Sequence, residues 1–140
     1  MIENIHQITA ADTVYIAGPM TGLPNSNRRA FYVVQDHLEE HAGPYCILNP
    51  ARQPDGLTYQ EYMRRALADL KQATAVVFLR GWEQSRGALY ENLTARFIGL
   101  RLLREHGAEC PENGVLFIAN NRSGLPLHQA APWAEVRDHA

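Results

Sequence analysis

Cysteine is scarce: only Cys46 and Cys110 occur among the 140 residues. They stand far apart and without metal-type spacing. Neither a disulfide framework nor a thiolate zinc site is therefore expected, and free thiols suit a reducing cytoplasm. The six histidines are scattered, and no metal or organic cofactor is anticipated. Charge of one sign is lacking too. Thirteen Lys and Arg against fifteen Asp and Glu leave a net charge of −2, with no basic field for a nucleic-acid polymer. No apolar run approaches membrane-spanning length, and the start shows no basic stretch followed by an apolar one, so neither a membrane partner nor an export signal is expected. Repeats and low-complexity segments are missing. At this length the chain reads as one domain, residues 1–140, with a loose lead-in at 1–12 and an irregular tail at 121–140.

What is present alternates between two periods. Thr13–Ala17 (TVYIA) is rich in β-branched and aromatic residues and reads as a strand. Gly18–Pro19 breaks it, and Gly22, Pro24 and Asn25 hold the following residues in a loop. Asn27 is placed to cap a helix to about His41, with Phe31, Val34 and Leu38 on one face. Tyr45–Leu48 reads as a second strand, closed by Asn49–Pro50. After a polar loop at Ala51–Leu57, Thr58 and Glu61 form a capping box for a helix that turns Tyr62, Met63, Ala66, Leu67 and Leu70 inward. Thr74–Leu79 is the most hydrophobic strand and is placed centrally. A helix from Gly87 to about Glu105 is expected next, with Leu93, Phe97, Leu100 and Leu103 inward and Gly107 as its stop. Val115–Ala119 reads as a last strand.

Strands alternating with helices predict an α/β domain, a doubly wound three-layer α/β/α arrangement on a parallel sheet of four to five strands, with the flavodoxin-like order. Such sheets bind ligands beyond the carboxyl ends of their strands. Three loops should meet there: Gly18–Arg29, Asn49–Asp55 and Trp82–Glu91. Glu91, one turn inside its helix, is placed to face a ligand, where a carboxylate can attack an electrophilic carbon; the alternative is an ordinary solvated helix glutamate. Tyr15, at the end of the first strand, could orient that carboxylate, or simply bury its ring with the hydroxyl at the rim. Gly18, Pro19, Met20 and Thr21 form a loop able to close over a ligand. Arg28 and Arg86 suit a phosphate, unless they are solvated surface groups. Trp82 could stack on a base or pack as a rim aromatic.

These blocks resemble a known family. Tyr15–Pro24 (YIAGPMTGLP) with Asn27–Arg28 and Phe31, then Asn49–Ala51, Asp55–Leu57, Tyr62–Arg65 and Gly81–Glu83, with Ser85–Ala88 and Glu91, closely resemble DUF4406, a family of small bacterial and phage proteins. That family is in turn similar to the nucleoside 2-deoxyribosyltransferase superfamily, whose enzymes cleave or transfer the bond between a base and 2-deoxyribose. The resemblance implies a nucleoside 2-deoxyribosyltransferase-like fold, Glu91 as nucleophile with Tyr15 beside it, and a substrate site of Gly18, Pro19, Met20, Thr21, Arg28, Asn49, Trp82, Ser85, Arg86 and Gly87. Ser85-x-Gly87-x-x-Tyr90-Glu91 is similar to the deoxynucleoside 5′-monophosphate N-glycosidase branch, where the serine helps hold phosphate.

Two positions depart from the superfamily pattern. An aspartate on the second helix is replaced by Ala66, with Asp69 three residues on. An acidic residue before the third strand is replaced by Thr74. Losing a general acid typically costs about two to four orders of magnitude in rate. Two classes of function follow: an N-glycosidase or 2-deoxyribosyltransferase acting on a small nucleoside or nucleotide, or a non-catalytic nucleotide-binding sensor that keeps the pocket. The implied partners are the small ligand and other copies of the chain, since members of the superfamily commonly complete each site with a neighbouring subunit.

Overall fold

The structure is a computed structural model that describes residues 1–113. The strand expected at Val115–Ala119 and the tail at 121–140 lie outside the described residues. Among the described residues four strands alternate with three helices: β1 (Thr13–Ala17), α1 (Arg28–His41), β2 (Cys46–Leu48), α2 (Tyr59–Leu70), β3 (Ala75–Phe78), α3 (Arg86–Ile98) and β4 (Arg101–Arg104). All strand pairs are parallel and the sheet order is β2-β1-β3-β4, consistent with a flavodoxin-like fold. β3 lies inside the sheet, flanked by β1 and β4.

Successive strand residues point to opposite faces, and the buried side chains fall into two groups accordingly. Val14, Ile16, Ala75 and Val77 pack with Phe31, Val34 and Leu38 of α1. Tyr15, Ala17, Val76 and Phe78 pack with Met63, Ala66 and Leu70 of α2 and with Ala88 and Leu89 of α3. Each fully buried large aliphatic or aromatic chain contributes about 1.5–3 kcal/mol, so these strands are held chiefly from both faces. Residues 1–12 carry a short 3-10 turn, Ile5–Gln7, and are not loose. Ile2 and Ile8 are buried in the α1-side group, and Ile2 pairs with Glu105 beyond β4.

The Thr58–Glu61 capping box is present and starts α2 at Tyr59. Asn27 behaves differently from the expected cap. It occupies the position before α1 in a left-handed conformation, with no capping bond, and its amide instead donates to the Pro19 carbonyl at 2.9 Å. The loop after β1 is thereby tied to the start of α1.

Residues 99–105 depart from the helix expected to run to Glu105. α3 ends at Ile98, because Gly99 takes the left-handed conformation (φ +84°) and both Gly99 and Leu100 return hydrogen bonds to the last turn, a Schellman stop. Arg101–Arg104 then joins the sheet beside β3. Leu102 and Leu103 point to opposite sides of that sheet and join different groups of the core, as strand geometry requires. Phe97, expected inward, is 89% exposed.

At the amino edge of the sheet, buried Asp12 accepts hydrogen bonds from the Thr9 amide (2.8 Å), the Thr74 hydroxyl (2.7 Å) and the Arg101 guanidinium. These contacts, Arg101 first, hold its carboxyl down to about 2. The folded value lies below the ordinary 3.8, so this contribution to stability is present above that pH and is lost as pH falls through about 2. Asp12→Ala is expected to cost about 1–3 kcal/mol at neutral pH by stranding these donors. Chemical denaturation checks this: the gap between variant and wild type should narrow on acidification to pH about 2, and a gap independent of pH would contradict it.

Candidate active site

Where β1 and β3 end, the chain closes a cleft around one carboxyl group. Glu91 lies on the second turn of α3, is 3% exposed, and accepts a hydrogen bond from the hydroxyl of fully buried Tyr15 on β1. Three local features put it there. Ser85 caps α3 by accepting from the Ala88 amide at 3.2 Å, which fixes the helix start relative to β3. Gly87 permits close approach to α2, since a Cβ at that position would stand 3.1 Å from the Met63 sulfur and 3.4 Å from the Tyr59 hydroxyl. Gly18 does the same at the end of β1, where a Cβ would meet the Leu79 side chain at 2.8 Å.

Glu91, Gly18, Met20, Thr21, Ser85 and Gly87 line one small cavity of about 20 Å³, together with Tyr59, Tyr62 and Ala88. It sits between two larger hollows. One, of about 270 Å³, lies over the first turn of α3 and is lined by Pro19, Thr21, Tyr59, Gln84, Ser85, Arg86 and Gly87. The other, of about 240 Å³, runs under the loops after β1 and β2 and includes Arg28, Gln53, Asp55, Leu57, Tyr59 and Tyr62. Thr21 and Tyr59 border all three.

Burial pushes the Glu91 carboxyl up to about 8, with the Tyr15 hydrogen bond acting in the opposite direction. Burial thus favours the protonated form of this carboxyl in the unliganded protein. Burial, followed by the Glu91 charge, raises the Tyr15 and Tyr62 hydroxyls well above their ordinary value. The site is thus buried and centred on a carboxyl that a positive ligand centre would ionise.

A family model described as a domain of unknown function, DUF4406, matches residues 12–104. The chain belongs to the DUF4406 family. Comparison with curated proteins and with solved structures returned no match. The matched stretch of this DUF4406 domain contains the whole cleft, from Tyr15 to Glu91.

Several residues singled out from the sequence do other work in the DUF4406 domain. Trp82 does not face the cleft. It is fully buried, packs on Phe78 with ring centroids 4.9 Å apart, and donates its indole N–H to the Glu109 carbonyl at 3.0 Å; so large an apolar ring beside the end of β3 gains more from the core than from the rim. Asn49 is also turned inward, accepting from the Ala51 amide and donating to Gln35, each at 2.9 Å. Arg28 lines the hollow next to Glu91, but its guanidinium bonds the Ala51 and Gln53 carbonyls and pairs with Asp55 at 2.6 Å. It braces the two loops. Ala66, where an aspartate was expected, is buried in the core. Asp69 is half-buried, with its carboxyl raised by burial, and does not border the three cavities.

Sequence reasoning missed Tyr59, and assigned Tyr62 only to the core. The Tyr62 hydroxyl reaches the Met20 sulfur at 2.8 Å and pins the β1 loop over Glu91. The capping box at Thr58 was the available signal, because it places Tyr59 on the first turn of α2, level with the strand ends. His37 and His41 stand one turn apart on α1 with ring centroids 4.4 Å apart, but no group of three metal-ligating side chains exists among the described residues.

Because the folded pKa of Glu91 lies above its ordinary 4.5, its contribution to stability is full below that pH and is lost as pH rises through about 8. Glu91→Gln should flatten this slope in thermal melts taken across that window, and Tyr15→Phe should shift its upper end to higher pH. Parallel melting curves for wild type and Glu91→Gln would contradict the assignment.

Proposed function

We propose that this protein cleaves or transfers the base–sugar bond of a small nucleoside or nucleoside 5′-monophosphate, as a distant member of the nucleoside 2-deoxyribosyltransferase superfamily with its three-layer fold. The observation that carries the reading is the buried Glu91–Tyr15 pair facing a cleft at the carboxyl edge of the sheet. The Glu91 carboxylate, its proton released to solvent, attacks C1′ as the C1′–N bond breaks through an oxocarbenium-like transition state. The base leaves with the bonding electrons and is protonated from solvent. Water or a second base then opens the sugar ester. Tyr15 orients the carboxyl, and the developing positive charge on the sugar favours its ionised form.

A second reading, a nucleotide-binding sensor that keeps the cleft without turnover, has a specific observation in its favour. Ala66 puts no proton donor where the superfamily carries an aspartate, and burial favours the protonated form of Glu91. Incubation with a panel of deoxynucleosides and monophosphates, followed by detection of free base, separates the two. The enzyme reading expects release that Glu91→Gln lowers by at least about a thousandfold. It also expects kcat/KM to climb with pH toward about 8 as Glu91 deprotonates. Release that survives Glu91→Gln excludes this nucleophile, and binding without release supports the sensor.

Phosphate selectivity follows from Ser85. Its hydroxyl caps α3, whose first-turn N–H groups and Arg86 border the 270 Å³ hollow and suit an anion. Charge-assisted contacts of about 1.5–3 kcal/mol each favour monophosphates over nucleosides by roughly tenfold or more. Ser85→Asp keeps a good cap but places a negative charge there, so the order of affinities should reverse with the fold intact. Equal affinities in the wild type, by calorimetry at low salt, would exclude the phosphate reading.

A further inference from the structure

Three tyrosines surround Glu91, and their hydroxyls are not equivalent. Tyr15 donates to Glu91 itself, and Tyr62 to the Met20 sulfur. The Tyr59 hydroxyl is buried and has no hydrogen-bond partner among the described residues. A phenylalanine would fill the same space without leaving a polar atom unpaired, and an unpaired buried hydroxyl destabilises the fold.

Its position indicates what it serves. Tyr59 borders the Glu91 cavity and both larger hollows. Its oxygen lies 3.4 Å from the point where a Cβ on Gly87 would stand, beside the first turn of α3 and on the Ser85 side of Glu91. Gly87 leaves that approach open. Burial raises the phenol to about 12, so it stays protonated and able to donate across the neutral range.

We propose that Tyr59 is a substrate-binding residue whose hydroxyl hydrogen-bonds an oxygen on the 5′ side of the sugar, where the Glu91 cavity opens over the first turn of α3. The assignment rests on the reading that Glu91 faces the anomeric carbon, which directs the 5′ end of the ligand toward Ser85. The acceptor is the 5′-hydroxyl of a nucleoside or a phosphate oxygen of a monophosphate.

The test is calorimetric titration of wild type and Tyr59→Phe with a 2′-deoxynucleoside 5′-monophosphate, the matching nucleoside and the matching 2′,5′-dideoxynucleoside, with thermal melts of both proteins without ligand. Tyr59→Phe should melt at the same temperature as the wild type or a few degrees higher, since it removes an unpaired buried group. It should lose about tenfold in affinity for whichever ligand supplies the acceptor: the monophosphate alone if phosphate is bound, the nucleoside as well if the 5′-hydroxyl is. Affinity for the 2′,5′-dideoxynucleoside should not change. A lower melting temperature, an equal loss for all three ligands, unchanged affinity for all three, or a wild type that binds none of them overturns the assignment. Base release followed in the same samples keeps the two readings apart: binding that depends on Tyr59 without any release removes turnover and leaves Tyr59 in place.

Discussion

The hydrogen bond between Tyr15 and Glu91 is the contact to which the rest of the site answers. It joins the second sheet strand in space to the helix that follows the third, across 76 positions of sequence, and it buries an ionisable group that would otherwise be left unsatisfied. The helix must start at one defined residue, which the Ser85 cap fixes. It must approach α2 closely, which Gly87 permits. The loop after β1 must pass over the pair, and Gly18, the Asn27–Pro19 bond and the Tyr62–Met20 contact hold it there. A carboxyl buried in this way, with its protonated form favoured, is costly as a structural device and well suited to meeting a developing positive charge.

Much of this was legible in the sequence because the local signals agreed with the global pattern. The TVYIA and TAVVF runs could be little other than buried strands, and the Thr58–Glu61 box fixed the start of α2. Glu91 and Tyr15 were legible because topology places both at the carboxyl edge. What was hidden had physical causes. The spacing of Leu93, Phe97, Leu100 and Leu103 imitates a helical stripe, and only the left-handed Gly99 with its two return bonds converts the last part into β4. Trp82 and Asn49 sit in the right loops but turn inward, a choice made by neighbours such as Phe78 and Gln35 that are distant in sequence. Tyr59 looks like any helix tyrosine until its hydroxyl is found without a partner among the described residues.

The two positions that differ from the deoxyribosyltransferase pattern the chain resembles have different physical meanings. Thr74 takes a structural role: its hydroxyl bridges Asp12 and the Thr13 backbone at the amino edge of the sheet, away from the cleft. Ala66 is buried against the sheet, so under the proposed function the departing base takes its proton from solvent or from residues on the loops. Chemistry here would then depend on Glu91 and on the fit of the ligand more than on acid catalysis, which favours substrates whose base is already a good leaving group.

The most direct test of the central claim is to trap the sugar on the protein. Wild-type protein mixed with a deoxynucleoside 5′-monophosphate, quenched in acid and digested, should yield one peptide carrying the mass of the 2-deoxyribosyl phosphate on Glu91, and Glu91→Gln should yield none. Base release without such an adduct, or an adduct on any other residue, would contradict the account.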